Sequence, residues 1–164
     1  MARDSVDRIQ QGGALLTIAV INQKGGVGKT TTTVNLGAGL ARLGKRVLLI
    51  DFDPQANLTS HLQADADGDR PTAYELLRAS STLADLAVPT AQENLFLVPS
   101  SGDLAGVELE LAAEIGREAI LRDRIAQASL HGAEPYDYVL IDCAPSLGLL
   151  AVNALTAADE ALVP

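Results

Sequence analysis

The residues best suited to chemistry form one glycine-rich stretch near the start of the chain. This stretch reads NQKGGVGKTT over residues 22–31 and follows an apolar, β-branched run at residues 15–21. A run of helical composition, residues 31–43, comes after it. A strand, a glycine-rich loop and a helix in this order bring backbone N–H groups around phosphate oxygens. The sequence therefore predicts a phosphate-binding loop.

The glycines of this loop let its backbone approach an anion. Gly25, Gly26 and Gly28 carry no side chain, so their N–H groups and that of Val27 can turn inward. The helix that follows presents the positive end of its dipole to the same point. All four residues are therefore predicted to bind phosphate.

The polar residues of the loop supply cations and hydroxyls. Lys29 can reach the β- and γ-phosphates, the Thr30 hydroxyl can bind Mg²⁺, and Thr31 completes the predicted nucleotide-binding residues. The usual pattern G-x-x-x-x-G-K-[ST] requires glycine where this chain has Gln23. The chain has a second lysine instead, Lys24, which begins the loop and is predicted to point away from its own helix.

Two carboxylates follow the apolar run at residues 47–50. They are Asp51 and Asp53, and Pro54 prevents a central strand from continuing after them. Ligands bind at the carboxyl ends of the strands in open α/β sheets, so both carboxylates are expected at the ligand edge. A carboxylate there can orient the water that attacks a γ-phosphate.

Asp142 follows another apolar run, residues 136–141. In P-loop ATPases an aspartate in this place holds Mg²⁺ and pairs with the loop threonine. The sequence thus predicts a magnesium site shared by Asp142 and Thr30. Cys143, the only cysteine, is expected to be a small buried residue without a redox role.

The composition is typical of a compact protein from a reducing compartment. The 164 residues are 48% hydrophobic and 3% aromatic, so a core of Ala, Leu, Val and Ile is expected. A single cysteine excludes an intrachain disulfide and a multi-cysteine cluster, and it predicts a cytoplasmic location. The net charge of −9 works against binding to DNA or anionic lipid. Residues 1–14 lack the apolar core of a signal peptide, and residues 15–21 are too few to span a bilayer.

Apolar runs of strand length alternate with helical patterns along the chain. This alternation predicts one α/β domain over residues 15–164, a doubly wound, mostly parallel sheet flanked by helices, with residues 1–14 as a flexible lead-in. The predicted strands are residues 15–21, 47–50, 94–99, 136–141 and 160–164. The predicted helices are residues 31–43, 72–79, 82–86, 103–115, 117–129 and 146–157.

Individual residues refine two of these helices. Gly37 and Gly39 are costly inside a helix, so close packing of the first helix on the sheet is expected, and Gly44 is expected to end it. The helix over residues 103–115 is expected to bury one face, made of Leu104, Val107, Leu111 and Ile115.

Several blocks of the chain resemble the ParA/MinD family of P-loop ATPases. The run Lys-Gly-Gly-x-Gly-Lys-Thr is similar to that family's deviant Walker A loop. The blocks LLIDFDPQANLT, LVPSSGDLAGVELEL and YDYVLIDCAPSLGLLAVNALTAADEALVP resemble the ParA/Soj branch, the chromosome and plasmid partition ATPases. The pair Pro54-Gln55 favours ParA/Soj over MinD, whose motif reads differently after the aspartates.

The resemblance implies a P-loop ATPase switch that binds ATP or ADP with Mg²⁺ and forms an ATP-sandwich homodimer. Lys24 would reach the nucleotide of the partner subunit, Asp53 would activate water, and Asp51 would support Mg²⁺ and the loop lysine. The resemblance also implies non-specific DNA binding with nucleoid association. It further implies a ParB-type centromere-binding partner that stimulates hydrolysis.

Two alternatives stay open. Relatives continue past Pro164, so the family domain is expected to be incomplete at its C-terminal end. The chain would then be a nucleotide-binding or dimerisation fragment without catalysis, and apolar surface beside its last strand could be covered by another copy. A MinD-like membrane-associated positioning ATPase would need a C-terminal amphipathic helix, which this sequence does not show.

Overall fold

The core of the molecule is one mostly parallel sheet. The structure is a computed structural model that describes residues 15–63, 70–78, 81–131 and 135–164, so the predicted lead-in lies outside the described residues. Its strands are β1 Leu16–Val20, β2 Val47–Phe52, β3 Val88–Pro89, β4 Leu95–Val98, β5 Tyr138–Cys143 and β6 Glu160–Leu162. They lie in the order β3-β4-β2-β5-β1-β6. Only the pairing of β3 with β4 is antiparallel among these described strands.

The two central strands, β2 and β5, are buried over their full length. Continuous apolar runs fit this position because helices cover both faces of a parallel sheet. Each strand ends two residues beyond its predicted limit, so Asp51 and Asp142 lie inside the strands. The two aspartates are register partners on adjacent strands.

Helices cover both faces of the sheet, which confirms the predicted doubly wound fold. They are α1 Lys29–Arg42, α2 Asn57–His61, α3 Ala73–Leu77, α4 Leu83–Leu86, α5 Val107–Glu110, α6 Ile120–His131 and α7 Leu149–Ala157. Two 3₁₀ helices, Gly102–Gly106 and Arg117–Ala119, precede α5 and α6. The buried Ala41 of α1 packs in one apolar cluster with Leu49 and Leu140. The buried apolar residues of α3, α4 and α7, with Leu121 and Ile125 of α6, belong to a second cluster.

The end of α1 has the predicted glycine. Gly44 adopts φ +78°, which favours glycine. The N–H groups of Gly44 and Lys45 donate to the carbonyls of Ala41 and Leu40, at 2.9 and 3.2 Å respectively. These two bonds form a Schellman motif, and they satisfy carbonyls that the helix end leaves unpaired.

The two glycines inside α1 differ in their surroundings. A Cβ atom on Gly37 would lie 2.8 Å from Leu49 Cδ2 and 3.3 Å from Leu95 Cδ1. The expected close packing on the sheet is therefore confirmed at this position. Gly39 is exposed, and an added Cβ would meet no atom within 4 Å. The same expectation is wrong for Gly39 because it lies on the outer side of the helix.

The segment predicted as one helix over residues 103–115 is broken. Its first three apolar positions are buried, but Ile115 is fully exposed, so its predicted place on the buried face is wrong. The α-helical part ends at Glu110, and its own last turn contains no basic residue. Turns follow, and Gly116, with φ +77°, precedes the next 3₁₀ helix.

Other boundaries differ only in detail. The sequence does not predict β3, because its two residues are too few to show a periodic pattern. α7 begins at Leu149, three residues after its predicted start. Capping boxes begin α3 and α4, with Thr72 paired to Glu75 and Thr82 paired to Asp85.

Alanine substitution at the two glycines separates packing from helix propensity. Gly37→Ala presses a methyl group against Leu49 and Leu95, so we expect it to lower the free energy of unfolding by about 1–3 kcal/mol. Gly39→Ala adds a methyl group in open space, so we expect it to raise that free energy by about 0.5–1 kcal/mol. Urea denaturation of both variants measures the difference. Equal effects would show that α1 does not approach the sheet closely at Gly37.

Candidate nucleotide-binding site

The loop between β1 and α1 has an open backbone. Gly26 and Gly28 adopt φ values of +72° and +90°, which residues other than glycine rarely adopt. A Cβ atom placed on Gly25, Gly26 or Gly28 would meet no atom within 4 Å. Open space therefore lies beside the loop, from which an anion can approach its N–H groups.

The first turn of α1 is joined to Asp142 by hydroxyl groups. Thr30 Oγ1 donates to Asp142 Oδ2 at 2.7 Å. Thr33 Oγ1 lies 3.3 Å from Asp142 Oδ1 and 3.0 Å from the carbonyl oxygen of Lys29. The Lys29 side chain is buried at the same helix end. The predicted pairing of Thr30 with Asp142 is thus present as a hydrogen bond.

Thr33 is a site residue that sequence reasoning missed. It is fully buried, at 0% exposure, and it contacts the same carboxylate as Thr30. Its spacing gave a signal, because residues three and four apart share a helix face and Thr33 is three after Thr30 and four after Lys29.

The Asp142 carboxyl lies on β5 between β1 and β2, with Val20 and Asp51 as its register partners. Burial raises the pKa of Asp142, and the nearby negative charge of Asp53 raises it further. Hydrogen bonds from the two threonines and the positive charge of Lys29 oppose this increase and lower the pKa. Lys29 and Asp53 therefore lie close enough to Asp142 to affect its pKa, although the three residues are far apart in sequence.

Asp51 is fully buried, and both of its carboxylate oxygens accept hydrogen bonds. Oδ2 accepts from the backbone N–H and the hydroxyl of Thr59, at 2.8 and 2.7 Å. Oδ1 accepts from the N–H of Asp53 at 3.3 Å. Burial raises the pKa of Asp51 to about 6 against the effect of these bonds. The structure therefore places Asp51 beside the site, bonded to α2, and its predicted metal role stays a prediction.

Asp53 lies in the turn that follows β2. Its Oδ1 accepts the N–H of Gln55 at 2.9 Å, and its backbone carbonyl accepts the Ser100 hydroxyl at 2.8 Å. Ala56, the residue immediately before α2, has φ +51°. Asp53 is 9% exposed, so a small part of it reaches the surface at this edge.

Lys24 is exposed at the start of the loop. Its backbone N–H donates to Asn22 Oδ1 at 2.9 Å, which fixes the turn that leads into the glycines. The structure thus separates the two loop lysines, one buried at the helix start and one on the surface.

The donor set fits Mg²⁺ bound together with a phosphate ligand. Asp142 and Thr30 offer carboxylate and hydroxyl oxygens, the hard ligands that Mg²⁺ prefers. The described part of the chain contains no cluster of three or more His, Cys, Asp or Glu side chains that could hold a metal. Mg²⁺ characteristically binds through one or two carboxylates plus substrate phosphates, so this sparse set suits it.

Cys143, the residue after Asp142, gives a test of burial at this strand end. Burial raises the pKa of its thiol to about 12, and the charges of Asp142 and Asp53 act in the same direction. At pH 8 only about 1 in 10⁴ thiols would be ionised, about 10³-fold fewer than for an ordinary cysteine of pKa near 9. A thiolate of higher pKa is more nucleophilic, which offsets part of this factor, so modification of the native protein should be slower by about 100-fold or more.

The measurement is the reaction of the thiol with a colorimetric disulfide reagent, with and without denaturant. Rapid reaction of the folded protein would contradict the buried position of Cys143, whereas rapid reaction only after unfolding would support it.

Comparisons with known proteins agree with this geometry. A family model described as an AAA domain, AAA_31, matches residues 15–164. Sporulation initiation inhibitor protein Soj of Bacillus subtilis is 48% identical over 147 residues, which cover 90% of this chain and 56% of that protein. Chromosome partitioning protein ParA of Caulobacter vibrioides is 49% identical over 150 residues, which cover 92% of this chain and 55% of that protein.

A similar solved structure carries ligands. It is described as cobyrinic acid a,c-diamide synthase from Mycobacterium smegmatis with bound ATP analogue and magnesium. Its TM-score is 0.85 at 43% sequence identity, and the match covers 92% of this chain and 60% of that chain. The present chain spans about half the length of the curated relatives it matches, 56% and 55% for the two named above. None of the described helices is both long and apolar enough to cross a membrane.

Proposed function

The chain belongs to this AAA domain family and is a ParA/Soj-like member of it, and from this premise we propose that it binds ATP with Mg²⁺ and hydrolyses ATP to ADP and phosphate. The observation that carries the proposal is the hydrogen bond from Thr30 to Asp142 beneath an open glycine loop. It joins the predicted phosphate loop to the predicted metal ligand.

The phosphate loop binds the nucleotide in this proposal. The N–H groups of residues 25–31 donate to phosphate oxygens, and the Lys29 ammonium at the helix start neutralises phosphate charge. Asp142 and Thr30 would hold Mg²⁺, which neutralises charge on the β- and γ-phosphates when it is bound. The low exposure of Lys29 and Asp142 strengthens their electrostatic effect, because little water screens them.

Asp53 orients the attacking water. The water oxygen forms a bond to the γ-phosphorus while the bond to the β–γ bridging oxygen breaks, which gives ADP and inorganic phosphate. Support for this role comes from the charge of Asp53, which acts on Asp142 and so lies near the phosphate loop. Asp51 fixes the turn that carries Asp53, because the Asp53 N–H donates a hydrogen bond to Asp51 Oδ1.

We extend the proposal from the relatives to assembly and process. The chain forms an ATP-dependent homodimer in which the exposed Lys24 reaches the nucleotide of the partner subunit. It acts in the partitioning of DNA, with a ParB-type partner, in the cytoplasm. The relatives named Soj and ParA support this role. The net charge of −9 works against DNA binding, so a DNA complex of this chain would need a local basic surface.

A nucleotide-binding chain without turnover is the second candidate function. The observation that favours it is the net charge of −9, which works against the DNA binding expected of a partition ATPase.

The lysine at the helix start tests nucleotide binding. Lys24, Lys29 and Lys45 are the three lysines of the chain, so Lys45→Ala is a matched control. Lys45 forms an exposed ion pair with Asp137. We expect Lys29→Ala to weaken ATP binding by at least about 100-fold, because it leaves phosphate charge unpaired in a partly dry site. Calorimetric titration with MgATP measures both variants, and unchanged affinity in Lys29→Ala would refute the site.

The carboxylate after β2 tests hydrolysis separately from binding. We expect Asp53→Ala to bind MgATP within about threefold of the original affinity but to hydrolyse it at least about 100-fold more slowly, the range of a lost general base or water-positioning group. Phosphate release is measured with and without double-stranded DNA, and with EDTA to remove the metal. Asp123→Ala, at an exposed aspartate, is the control.

Three results separate the two candidate functions. Turnover that depends on Asp53 and Mg²⁺ supports the ATPase. Binding with no turnover above the Asp53→Ala variant supports the second candidate. Full turnover in Asp53→Ala would remove Asp53 from the proposed mechanism.

A further inference from the structure

We propose that Thr59 and Ser100 are positioning residues that hold the backbone of Asp53, so that its carboxylate can orient water at the site. This inference rests on the proposed function, because Asp53 orients water only if the chain hydrolyses ATP. Thr59 and Ser100 both lie outside the phosphate loop. Neither was identified from the sequence pattern. Both are buried and polar, at 5% and 4% exposure.

The structure joins these residues in a closed ring of hydrogen bonds. The Thr59 hydroxyl donates to Asp51 Oδ2 at 2.7 Å and accepts the N–H of Ser100 at 2.9 Å. The Ser100 hydroxyl donates to the carbonyl of Asp53 at 2.8 Å. The N–H of Asp53 donates to Asp51 Oδ1 at 3.3 Å, which closes the ring.

The ring ties three separate parts of the fold together. Asp51 lies on β2, and Thr59 lies on α2. Ser100 lies just after β4, the strand that pairs with β2. Each donor in the ring has its acceptor, as buried polar groups require. Loss of the Thr59 hydroxyl leaves the Ser100 N–H without its acceptor, and loss of the Ser100 hydroxyl removes one of two donors to the Asp53 carbonyl, so the effect of either substitution should pass to the next member.

Asp53 is held on both sides of its peptide backbone as a result. Its N–H donates to Asp51, and its carbonyl accepts from the Ser100 hydroxyl and from the Ala56 N–H at 2.9 Å. The Gln55 N–H engages only Oδ1 of the side chain. Oδ2 accepts no hydrogen bond from the residues that the structure describes. The ring therefore fixes the main chain and leaves one carboxylate oxygen for a ligand or water.

Loss of a positioning residue leaves ATP binding intact, whereas loss of a purely structural residue weakens ATP binding and hydrolysis together. The hydrogen bonds of Thr59 and Ser100 go to the Asp51–Asp53 turn and not to residues 22–30 of the phosphate loop. A loosened turn should therefore slow hydrolysis and spare ATP affinity. A small displacement of a reacting group is enough for a large loss of rate.

The experiment uses the full chain with MgATP at a temperature where every variant is folded. The test variants are Ser100→Ala and Thr59→Val, with Thr59→Ser as the conservative rescue. The matched controls are the neighbouring serines, Ser101→Ala and Ser60→Ala. Ser60 is exposed, and Ser101 lies outside the ring, where its Oγ is 3.4 Å from Thr72 Oγ1.

Two measurements are made on each variant. The first is kcat for phosphate release beside the Kd for ATP, and the second is the exchange rate of the Asp53 amide by NMR in the nucleotide-free protein. We expect Ser100→Ala and Thr59→Val to lower kcat by about tenfold or more while Kd changes less than about threefold. The Asp53 amide should exchange faster in both, and Thr59→Ser should restore both readouts.

The outcomes separate this inference from the proposed function. Unchanged kcat and unchanged Asp53 exchange in both test variants would overturn the ring alone. An equal loss of ATP affinity and kcat would show a structural role and overturn positioning. If the unsubstituted protein binds ATP without turnover, both the positioning role and the proposed hydrolysis are overturned. A chain that binds no ATP would overturn the proposed function, and the exchange rates would still decide whether the ring holds Asp53.

Discussion

Two aspartates lie side by side in the middle of the sheet, and the candidate site depends on how their charge is accommodated. Asp51 and Asp142 are register partners on β2 and β5, with 0% and 1% exposure. Burial raises the pKa of both carboxyl groups, because the charged form is poorly solvated in the interior. At any pH where they are ionised, hydrogen bonds must offset this desolvation cost. Each carboxylate receives hydroxyl donors from a different helix, which fixes those helices on the sheet.

The close seating of α1 is the second condition for the site. The buried residues of this helix are Lys29, Thr33, Gly37 and Ala41, one every four positions. None has a large apolar side chain, so the helix can approach β2 and β5 closely at Gly37. That approach places the two threonines of the first turns within reach of Asp142. Packing in the middle of the helix and polar geometry at its start are therefore one arrangement.

The same constraint explains why some site residues could be predicted and others could not. The loop glycines, Lys29 and Thr30 are close in sequence, and their spacing alone indicates a phosphate site. Thr33 belongs to a buried stripe that a search for apolar periodicity does not find, because the stripe is made of Lys, Thr, Gly and Ala. Thr59 and Ser100 are 41 residues apart, and only the pairing of β2 with β4 brings their helix and loop together.

The sequence by itself determined the glycine-rich loop between β1 and α1, the buried parallel strands and the glycine that ends α1, because each depends on local conformation or on a short repeating pattern. Tertiary structure alone decided that Asp51 faces Thr59 and that Gly37, rather than Gly39, touches the sheet. It also decided that Ile115 is exposed. These outcomes depend on strand register and on the side of a helix that meets the sheet. Both are set by contacts between residues far apart in the chain.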